Sequence, residues 1–284
     1  MNARLLLCTD LDRTLLPNGE QPESTSARTR FAALARLPMI TLAYVTGRDR
    51  ALVKDAIYNY RLPQPDYAIT DVGTRIYRIE QDDWQPWPQW ETEINHDWGT
   101  LDWQQLRDLF RNLPELRLQE TRKQKTHKLS FYVSLDADRE ALLAVMQSRL
   151  AEQGVRASLT WSIDEPAAIG LLDVLPACAT KLHAIEFLAT QTGFKLTEIL
   201  FAGDSGNDLP VLSSAIPSVL VANAGAEVRE AAQAQAVAAG HADALYIARG
   251  GFLGMNGNYS AGIVEGLAHF YPGVVEQTGG DQHA

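Results

Sequence analysis

The chain has 284 residues, of which 46% are hydrophobic and 21% are charged, a composition typical of globular proteins. Its formal net charge of −10 argues against nucleic acid and anionic membranes as partners. The only cysteines, Cys8 and Cys178, exclude a disulfide framework and a cysteine-rich zinc site. Because the sequence has no apolar run of membrane-spanning length and its first residues are not typical of a signal peptide, we expect a cytoplasmic protein.

The first predicted strand is a compact apolar run, LLLCT, that leads directly into Asp10 and Asp12. Such a short run is typical of a buried parallel strand, and ligands of open α/β sheets lie beyond the carboxyl ends of the strands. Alternation puts Asp10 and Asp12 on the same side if the chain stays extended. Two carboxylates held there repel, which favours a cation between them, although the alternative is a polar strand end without function.

Helical and extended segments alternate after this strand, and the β-α-β-α-β order predicts a doubly wound parallel sheet. The predicted elements are a helix from Ser24 or Thr25 to about Leu37, a strand at 39–45, a helix at 51–60 and a strand at 67–70.

The second strand ends in the sequence Thr46-Gly47-Arg48. A hydroxyl group, backbone amides and a following helix N-terminus suit an oxyanion, although so short a motif is also common without function. We therefore treat Thr46 and Gly47 as candidate phosphate-binding residues.

The sequence changes in character after Ile79, and residues 80–103 contain five of the six tryptophans. A helix at 102–112, alternating strands at 128–135 and 155–161, and a helix at 139–153 predict a small antiparallel domain inserted into the first. We interpret the tryptophans as packing residues rather than ligand contacts.

Apolar strands of the first type return at 171–175, 199–202 and 217–222. A helix at 177–192 carries Lys181 near its start, where an ammonium opposes the helix dipole. This slightly favours a functional placement, although the alternative is an ordinary solvated surface lysine. The strand at 199–202 leads into GDSGND, a second acidic loop at a strand end. An alanine-rich helix to about residue 239 and a last helix at 260–270 complete the prediction.

These motifs together can bind a metal and a phosphate. The carboxylates of Asp10, Asp12, Asp204 and Asp208 are ligands of the type that Mg²⁺ uses together with substrate phosphate oxygens. A hydroxyl, an amide and an ammonium, from Thr46, Gly47 and Lys181, can hold the phosphate. One carboxylate can then attack phosphorus while another transfers protons.

The order D-x-D-x-T, T-G-R, Lys and G-D-S-x-N-D resembles the haloacid dehalogenase superfamily of phosphatases. The inserted domain resembles the large α/β cap of one subclass. Similarity to the sucrose-phosphate phosphatase family extends over nearly the whole chain, in TDLDRT, YVTGR, PDYAITDVGTRIY, HKLSFYV, LLDVLP, FAGDSGND and EGLAHF.

The resemblance implies a Rossmann-like catalytic core of residues 1–79 and 171–284, an inserted α+β cap at 80–170, and hydrolysis of sucrose 6-phosphate. It makes Asp10 the nucleophile and Asp12 the acid and base. Thr46, Gly47, Lys181 and Asn207 would hold the phosphoryl group. Mg²⁺ would be bound by Asp10, the backbone carbonyl of Asp12 and Asp204, with Asp208 close behind them.

The cap leaves more alternatives open. Lys128 and Asp164 are the candidates for sugar binding, although either could be an ordinary surface residue. Two features depart from the family pattern: Arg13, where a small or polar neutral residue is usual, and a long loop at 162–170.

The alternative substrates are mannosylfructose phosphate, mannosyl-3-phosphoglycerate and other glycosyl phosphates. A different class of function would be a non-catalytic sugar-phosphate binder, or a partner that regulates a glycosyltransferase. We expect a monomer, with an upstream glycosyltransferase as one partner to test.

Overall fold

The structure is a computed structural model that describes residues 4–164 and 167–277. The chain divides into two compact units: the first contains the described residues up to Pro86 and from Lys181 onward, and the second contains Trp87–Thr180. Among the described residues, no helix has the length and apolar character needed to cross a membrane.

The regular elements of the described residues are numbered in chain order. The strands are β1 (Leu5–Thr9), β2 (Ile40–Val45), β3 (Tyr67–Thr70), β4 (Arg75–Glu80), β5 (Asp83–Pro86), β6 (Arg117–Leu118), β7 (Leu129–Val133), β8 (Ala157–Asp164), β9 (Ile169–Pro176), β10 (Ile199–Gly203), β11 (Ser218–Leu220) and β12 (Leu245–Ile247). The α-helices are α1 (Ala27–Ala35), α2 (Arg50–Tyr60), α3 (Pro88–Asn95), α4 (Trp103–Phe110), α5 (Arg139–Glu152), α6 (Lys181–Thr192), α7 (Leu209–Leu212), α8 (Ala226–Ala238), α9 (Ser260–Phe270) and α10 (Pro272–Glu276).

The first unit is built on a mixed sheet with the strand order β12-β11-β10-β1-β2-β3-β4-β5. All neighbours from β12 to β3 are parallel, and Leu7 in β1 pairs with Leu42 on one side and Leu200 on the other. Every residue of β1 and β10 is buried, which explains their continuous apolar sequence. Because the chain moves outward from β1 in both directions, the ends of β1 and β10 form the switch point where α/β sheets bind ligands. The predicted Rossmann-like fold is confirmed.

The edge hairpin of β4 and β5 is absent from the sequence prediction, which ended this unit at residue 79. Both pairings are antiparallel, and Ile79 lies opposite Trp84. Trp84 is 4% exposed and meets Tyr77 edge-to-face, with ring centroids 5.7 Å apart. Trp84 therefore packs in the core of the first unit, and the first unit extends to Pro86.

The second unit contains an antiparallel sheet with the order β6-β7-β9-β8. Phe131 and Leu172 lie in its apolar core, with residues of α4 and α5 and the fully buried Trp98. Trp90 is also fully buried. The interpretation of the tryptophans as packing residues is thus confirmed for Trp84, Trp90 and Trp98.

The prediction that residues 171–175 belong to the parallel sheet is wrong. They lie in β9, which pairs antiparallel with β7 and β8 in the second unit, so that the chain returns to the first unit at Lys181. A strand with neighbours on both sides is apolar in either kind of sheet, so its composition could not distinguish them. The long loop expected at 162–170 is mostly strand: β8 runs to Asp164 and β9 begins at Ile169, whereas residues 165–166 lie outside the described residues.

Candidate active site

Three buried carboxylates meet where β1 and β10 end. Because the two strands are parallel neighbours, their carboxyl ends lie side by side, and the Asp10 amide donates a hydrogen bond to the Ala202 carbonyl at 2.9 Å. Asp10, Asp204 and Asp208 each offer an oxygen within 4.8 Å of the oxygens from the other two. The sequence predicted that these acids lie at one sheet edge, and the structure brings them together.

Lys181, the first residue of α6, supplies a buried ammonium to this cluster. Its Nζ donates a hydrogen bond to Asp208 Oδ1 at 2.7 Å and lies 3.3 Å from Asp10 Oδ1. Burial lowers the pKa of Lys181, but the two carboxylates raise it more, so the net shift is upward and the group stays charged. The cluster therefore contains a lysine cation fixed between two of its acids.

Asp208 also organises the acidic loop. Its Oδ2 accepts hydrogen bonds from the amides of Asp204 at 3.1 Å and Ser205 at 3.0 Å, and from the Ser205 hydroxyl at 3.0 Å. A Cβ atom on Gly203 would lie 2.6 Å from Asp208 Cγ, so only glycine fits there. Since both oxygens of Asp208 are engaged, Asp10 and Asp204 are the better placed residues to bind a further cation.

Asp204 contacts the loop after β1. Its Oδ1 accepts a hydrogen bond from the Thr14 hydroxyl at 3.0 Å, and the Nε atom of Arg13 lies 3.6 Å from Oδ2. Burial and the neighbouring Asp208 raise the pKa of Asp204 to about 6.

The pKa of Asp10 rises to about 8, chiefly through burial and also through Asp208 and Asp204, against the opposing charge of Lys181. Raised pKa values show that the protein alone does not neutralise these carboxylates. A buried set of hard oxygen donors with too little positive charge fits a divalent cation.

The carboxylate of Asp12 is separate from the cluster. Arg48 donates to it from both Nε, at 2.8 Å, and Nη2, at 2.6 Å, and Asn18 Nδ2 donates to Oδ1 at 2.7 Å. Burial raises the pKa of Asp12, but the hydrogen bonds and charge of Arg48 outweigh it, and the net pKa is lowered. The predicted metal ligand in this residue is its backbone carbonyl, and that assignment stays a prediction.

The candidate phosphate loop follows β2, the other neighbour of β1. Thr46 is buried and its hydroxyl accepts a hydrogen bond from the Arg48 amide at 3.2 Å, whereas Gly47 is exposed. The amides of Asp71 and Val72 donate to the carbonyls of Arg48 and Thr46, at 2.9 and 3.2 Å, and hold the loop. Gly47 lies in this loop, and a role of its amide toward phosphate stays a prediction.

Sequence reasoning missed three polar residues that support the acids: Thr14, Asn18 and Arg48. Arg48 could have been predicted. It follows β2, the neighbour of the strand that ends in two carboxylates, and an arginine in that position can pair with one of them. Asn18 lies in the loop after β1, and its contact with Asp12 has no signal in the sequence.

The remaining predicted residues have local partners. Lys128 Nζ lies 3.0 Å from Asp173 Oδ2, and Asp164 Oδ1 accepts a hydrogen bond from the Ala167 amide at 3.2 Å. Asn207 is exposed, and its Oδ1 lies 2.9 Å from the Ser205 hydroxyl oxygen. Roles for these three residues in substrate binding stay predictions.

The sequence of the chain matches a known family. Residues 3–271 match the sequence model of the sucrose-6F-phosphate phosphohydrolases. The chain belongs to this family. The chain is a phosphoric monoester hydrolase of the haloacid dehalogenase superfamily, as the sequence resemblance implied.

The chain is also similar to individual hydrolases and phosphatases. An HAD-like hydrolase of Nitrosococcus oceani is 52% identical over 272 residues, which are 96% of this chain and 73% of that protein. Sucrose-phosphatase 1 of Nicotiana tabacum is 33% identical over 238 residues, 80% of this chain and 52% of that protein. The chain thus spans about half the length of the plant sucrose-phosphatases it matches.

The mannosylfructose-phosphate phosphatase of Agrobacterium fabrum is 29% identical over 270 residues, 93% of this chain and 96% of that protein. Among solved structures, the sucrose-phosphatase of Synechocystis sp. PCC6803, in complex with sucrose and phosphate, gives a TM-score of 0.71 at 23% identity. It covers 94% of this chain and 98% of that chain. At this identity the likeness establishes a common fold.

Proposed function

We propose that this chain is a Mg²⁺-dependent phosphatase that hydrolyses a sugar phosphate through an aspartyl-phosphate intermediate on Asp10, with sucrose 6-phosphate as the first candidate substrate. The observation that carries the proposal is the buried cluster of Asp10, Asp204 and Asp208 around Lys181 at the switch point of the sheet. Membership of the sucrose-6F-phosphate phosphohydrolase family supports the substrate class.

The donor set supports Mg²⁺ as the cofactor. Asp10, Asp204 and the backbone carbonyl of Asp12 would hold the ion, and Asp208 would keep Lys181 and the acidic loop in place behind them. When bound, Mg²⁺ would neutralise charge on the cluster and on the phosphoryl oxygens. Asp10 would then be ionised at neutral pH despite its raised pKa, which a nucleophile requires.

In the first half-reaction a carboxylate oxygen of Asp10 attacks phosphorus. The bond from phosphorus to the sugar oxygen breaks, and Asp12 donates a proton to that oxygen, which leaves as a sugar hydroxyl. Lys181, Thr46, the Gly47 amide and Asn207 hold the transferring phosphoryl group. Catalysis is then chiefly charge stabilisation and positioning, as in other phosphoryl transfers.

In the second half-reaction Asp12 accepts a proton from water, and the water oxygen attacks phosphorus. The bond between phosphorus and Asp10 breaks, which releases inorganic phosphate and restores the nucleophile. The contact with Arg48 suits this step, because it keeps Asp12 ionised. Donation of a proton in the first step requires Asp12 to leave this contact.

We propose that the second unit, Trp87–Thr180, acts as the cap that recognises the sugar, with Lys128 and Asp164 as contacts. The ion pair of Lys128 with Asp173 then has to be shared with the substrate hydroxyls. Cytoplasmic location, a monomeric state and association with a glycosyltransferase remain predictions for the same protein.

Mannosylfructose phosphate is the second candidate substrate. The phosphatase named for it covers almost the same length as this chain, whereas the plant sucrose-phosphatases are about twice as long as the matched region. This match in length supports its inclusion beside sucrose 6-phosphate. Mannosyl-3-phosphoglycerate is the third ester to compare.

Phosphate release from a panel of esters tests the proposal. Purified protein with Mg²⁺ is assayed with sucrose 6-phosphate, mannosylfructose phosphate, mannosyl-3-phosphoglycerate, glucose 6-phosphate and fructose 6-phosphate, with Asp10→Asn as the matched inactive variant. We expect the highest kcat/KM with sucrose 6-phosphate. A preference for another glycosyl phosphate would replace the substrate, whereas binding without turnover would favour a sugar-phosphate-binding regulator.

A further inference from the structure

Arg13 follows the acidic strand end and has a backbone conformation that L-residues rarely adopt, with φ of +57°. Two side chains hold it there: Asn18 Oδ1 accepts from the Arg13 amide at 2.8 Å, and Asn223 Nδ2 donates to the Arg13 carbonyl at 2.6 Å. Asn223 in turn accepts a hydrogen bond from the buried Tyr259 amide at 2.8 Å, which holds the Asn223 side chain in place. The hydrogen bonds with Asn18 and Asn223 therefore hold the Arg13 backbone and fix the direction in which its side chain leaves the loop.

The side chain of Arg13 points toward Asp204. The Nε atom of Arg13 lies 3.6 Å from Asp204 Oδ2, which is longer than a hydrogen bond, and the Arg13 side chain is 50% exposed whereas that of Asp204 is 4% exposed. The contact is thus electrostatic, between a solvated guanidinium and a buried carboxylate. Burial and Asp208 raise the pKa of Asp204; the hydrogen bond from Thr14 and then the charge of Arg13 oppose this rise.

We propose that Arg13 is a built-in counter-charge of the metal site, which partly neutralises Asp204 and thereby weakens the binding of a divalent cation. The inference rests on the proposed function, in which Asp204 is a metal ligand. A cation bound to Asp204 and the guanidinium of Arg13 would compete for the same negative charge. Arg13 therefore stabilises the metal-free site and sets the metal affinity below what the acids alone would give.

The size of the effect follows from the distance. A Mg²⁺ ion lies about 2 Å from a ligand oxygen, so it would be within about 6 Å of the Arg13 Nε atom. Repulsion between a divalent and a monovalent charge at about 6 Å in a water-like dielectric corresponds to roughly a tenfold change in a binding constant. Because Arg13 is half exposed, salt screens part of this, and we expect a change of roughly three- to tenfold.

Calorimetric titration with MgCl₂, without substrate and at low ionic strength, tests the inference directly. We expect Arg13→Gln to bind Mg²⁺ roughly three- to tenfold more tightly than the wild type, and Arg13→Lys, which keeps the charge, to bind like the wild type. Arg36→Gln removes the same charge from an exposed position at the end of α1 and should leave the Mg²⁺ affinity unchanged. Added KCl should shrink the difference between Arg13→Gln and the wild type.

A second measurement needs no metal. In EDTA, Arg13→Gln should have a lower melting temperature than the wild type and Arg36→Gln, because Asp204 loses a neighbouring cation. Equal or weaker Mg²⁺ binding by Arg13→Gln overturns the inference, as does an increase that Arg36→Gln shares. If neither the wild type nor any variant binds Mg²⁺, the proposed metal-dependent function fails instead.

Discussion

Arg48 holds Asp12 in a two-pronged contact that joins the ends of β1 and β2. Both nitrogens of the fork face carboxylate oxygens, the arrangement that makes arginine–carboxylate pairs strong and directional. The contact fixes the orientation of Asp12 and lowers its pKa, beside a carboxylate, Asp10, whose pKa is raised to about 8. Two acids separated by one residue are thus set up for different tasks, as a proton carrier and a nucleophile.

Replacement of Arg48 should impair proton transfer more than substrate binding. We expect Arg48→Met to lower kcat by roughly tenfold to a hundredfold, within the range that positioned proton transfer contributes. Because Asp12 then loses the partner that lowers its pKa, the acidic limb of the kcat profile should move to higher pH. Arg48→Lys should recover only part of the activity, since an ammonium cannot form the fork.

The control for this prediction is Arg36→Met, which changes an exposed arginine directly after α1 and should behave like the wild type. Measurements of kcat and KM from pH 5 to 9 decide the matter. A pH profile that does not change in Arg48→Met would show that Arg48 does not act through Asp12.

Gly203, the last residue of β10, and Gly206, in the loop that follows, provide a matched pair. A Cβ atom at Gly203 would overlap Asp208 at 2.6 Å, whereas a Cβ atom at Gly206 would meet nothing within 4 Å. We expect Gly203→Ala to displace Asp208 and thereby Lys181, and to reduce activity at least a hundredfold, whereas Gly206→Ala should retain most of it. Phosphate release with both variants is the measurement, and similar losses in the two would contradict the steric argument.

Lys181 should stabilise the metal-free protein through its two acids. Removal of one partner from a buried ion pair leaves uncompensated charge and typically costs about 3–5 kcal/mol. We expect Lys181→Met to lose free energy of unfolding of this order in EDTA, as measured by urea denaturation. The double variant Lys181→Met, Asp208→Asn should be more stable than Lys181→Met alone, because position 208 then no longer buries a negative charge that has lost its lysine partner.

If the loss of free energy of unfolding in the double variant equalled the sum of the losses in the two single variants, the result would contradict a direct interaction between Lys181 and Asp208. Additivity is expected for residues that do not interact, whereas Lys181 and Asp208 are 2.7 Å apart.

The sequence was sufficient to locate the acidic cluster, but not the polar residues Thr14, Asn18 and Arg48 that hold the acids in place. Asp10 and Asp204 could be predicted because each follows a buried apolar strand, and the ends of parallel strands meet at one edge. The partners of Asp12 depend on side-chain directions within loops, which have no period in the sequence. Strand β9 was assigned to the wrong sheet because its apolar residues fit a buried parallel strand and a central antiparallel strand equally well.

The metal-free protein should become less stable as the pH rises from 6 to 8. The pKa values of Asp10 and Asp204 in the folded protein are raised to about 8 and about 6, above the usual 3.8 expected when the chain unfolds. The folded state therefore binds protons more tightly than the unfolded state, so this contribution to stability is present at low pH and is lost as the pH rises through the folded pKa values. For Asp10 alone we expect a loss of about 2 kcal/mol between pH 6 and 8 relative to Asp10→Asn, since one pKa unit corresponds to about 1.4 kcal/mol. Urea denaturation in EDTA at several pH values measures the free energy of unfolding. Saturating Mg²⁺ should remove the loss, because the ion binds the deprotonated acids. If the free energies of unfolding of the wild type and Asp10→Asn in EDTA changed equally with pH, the result would contradict the raised pKa of Asp10.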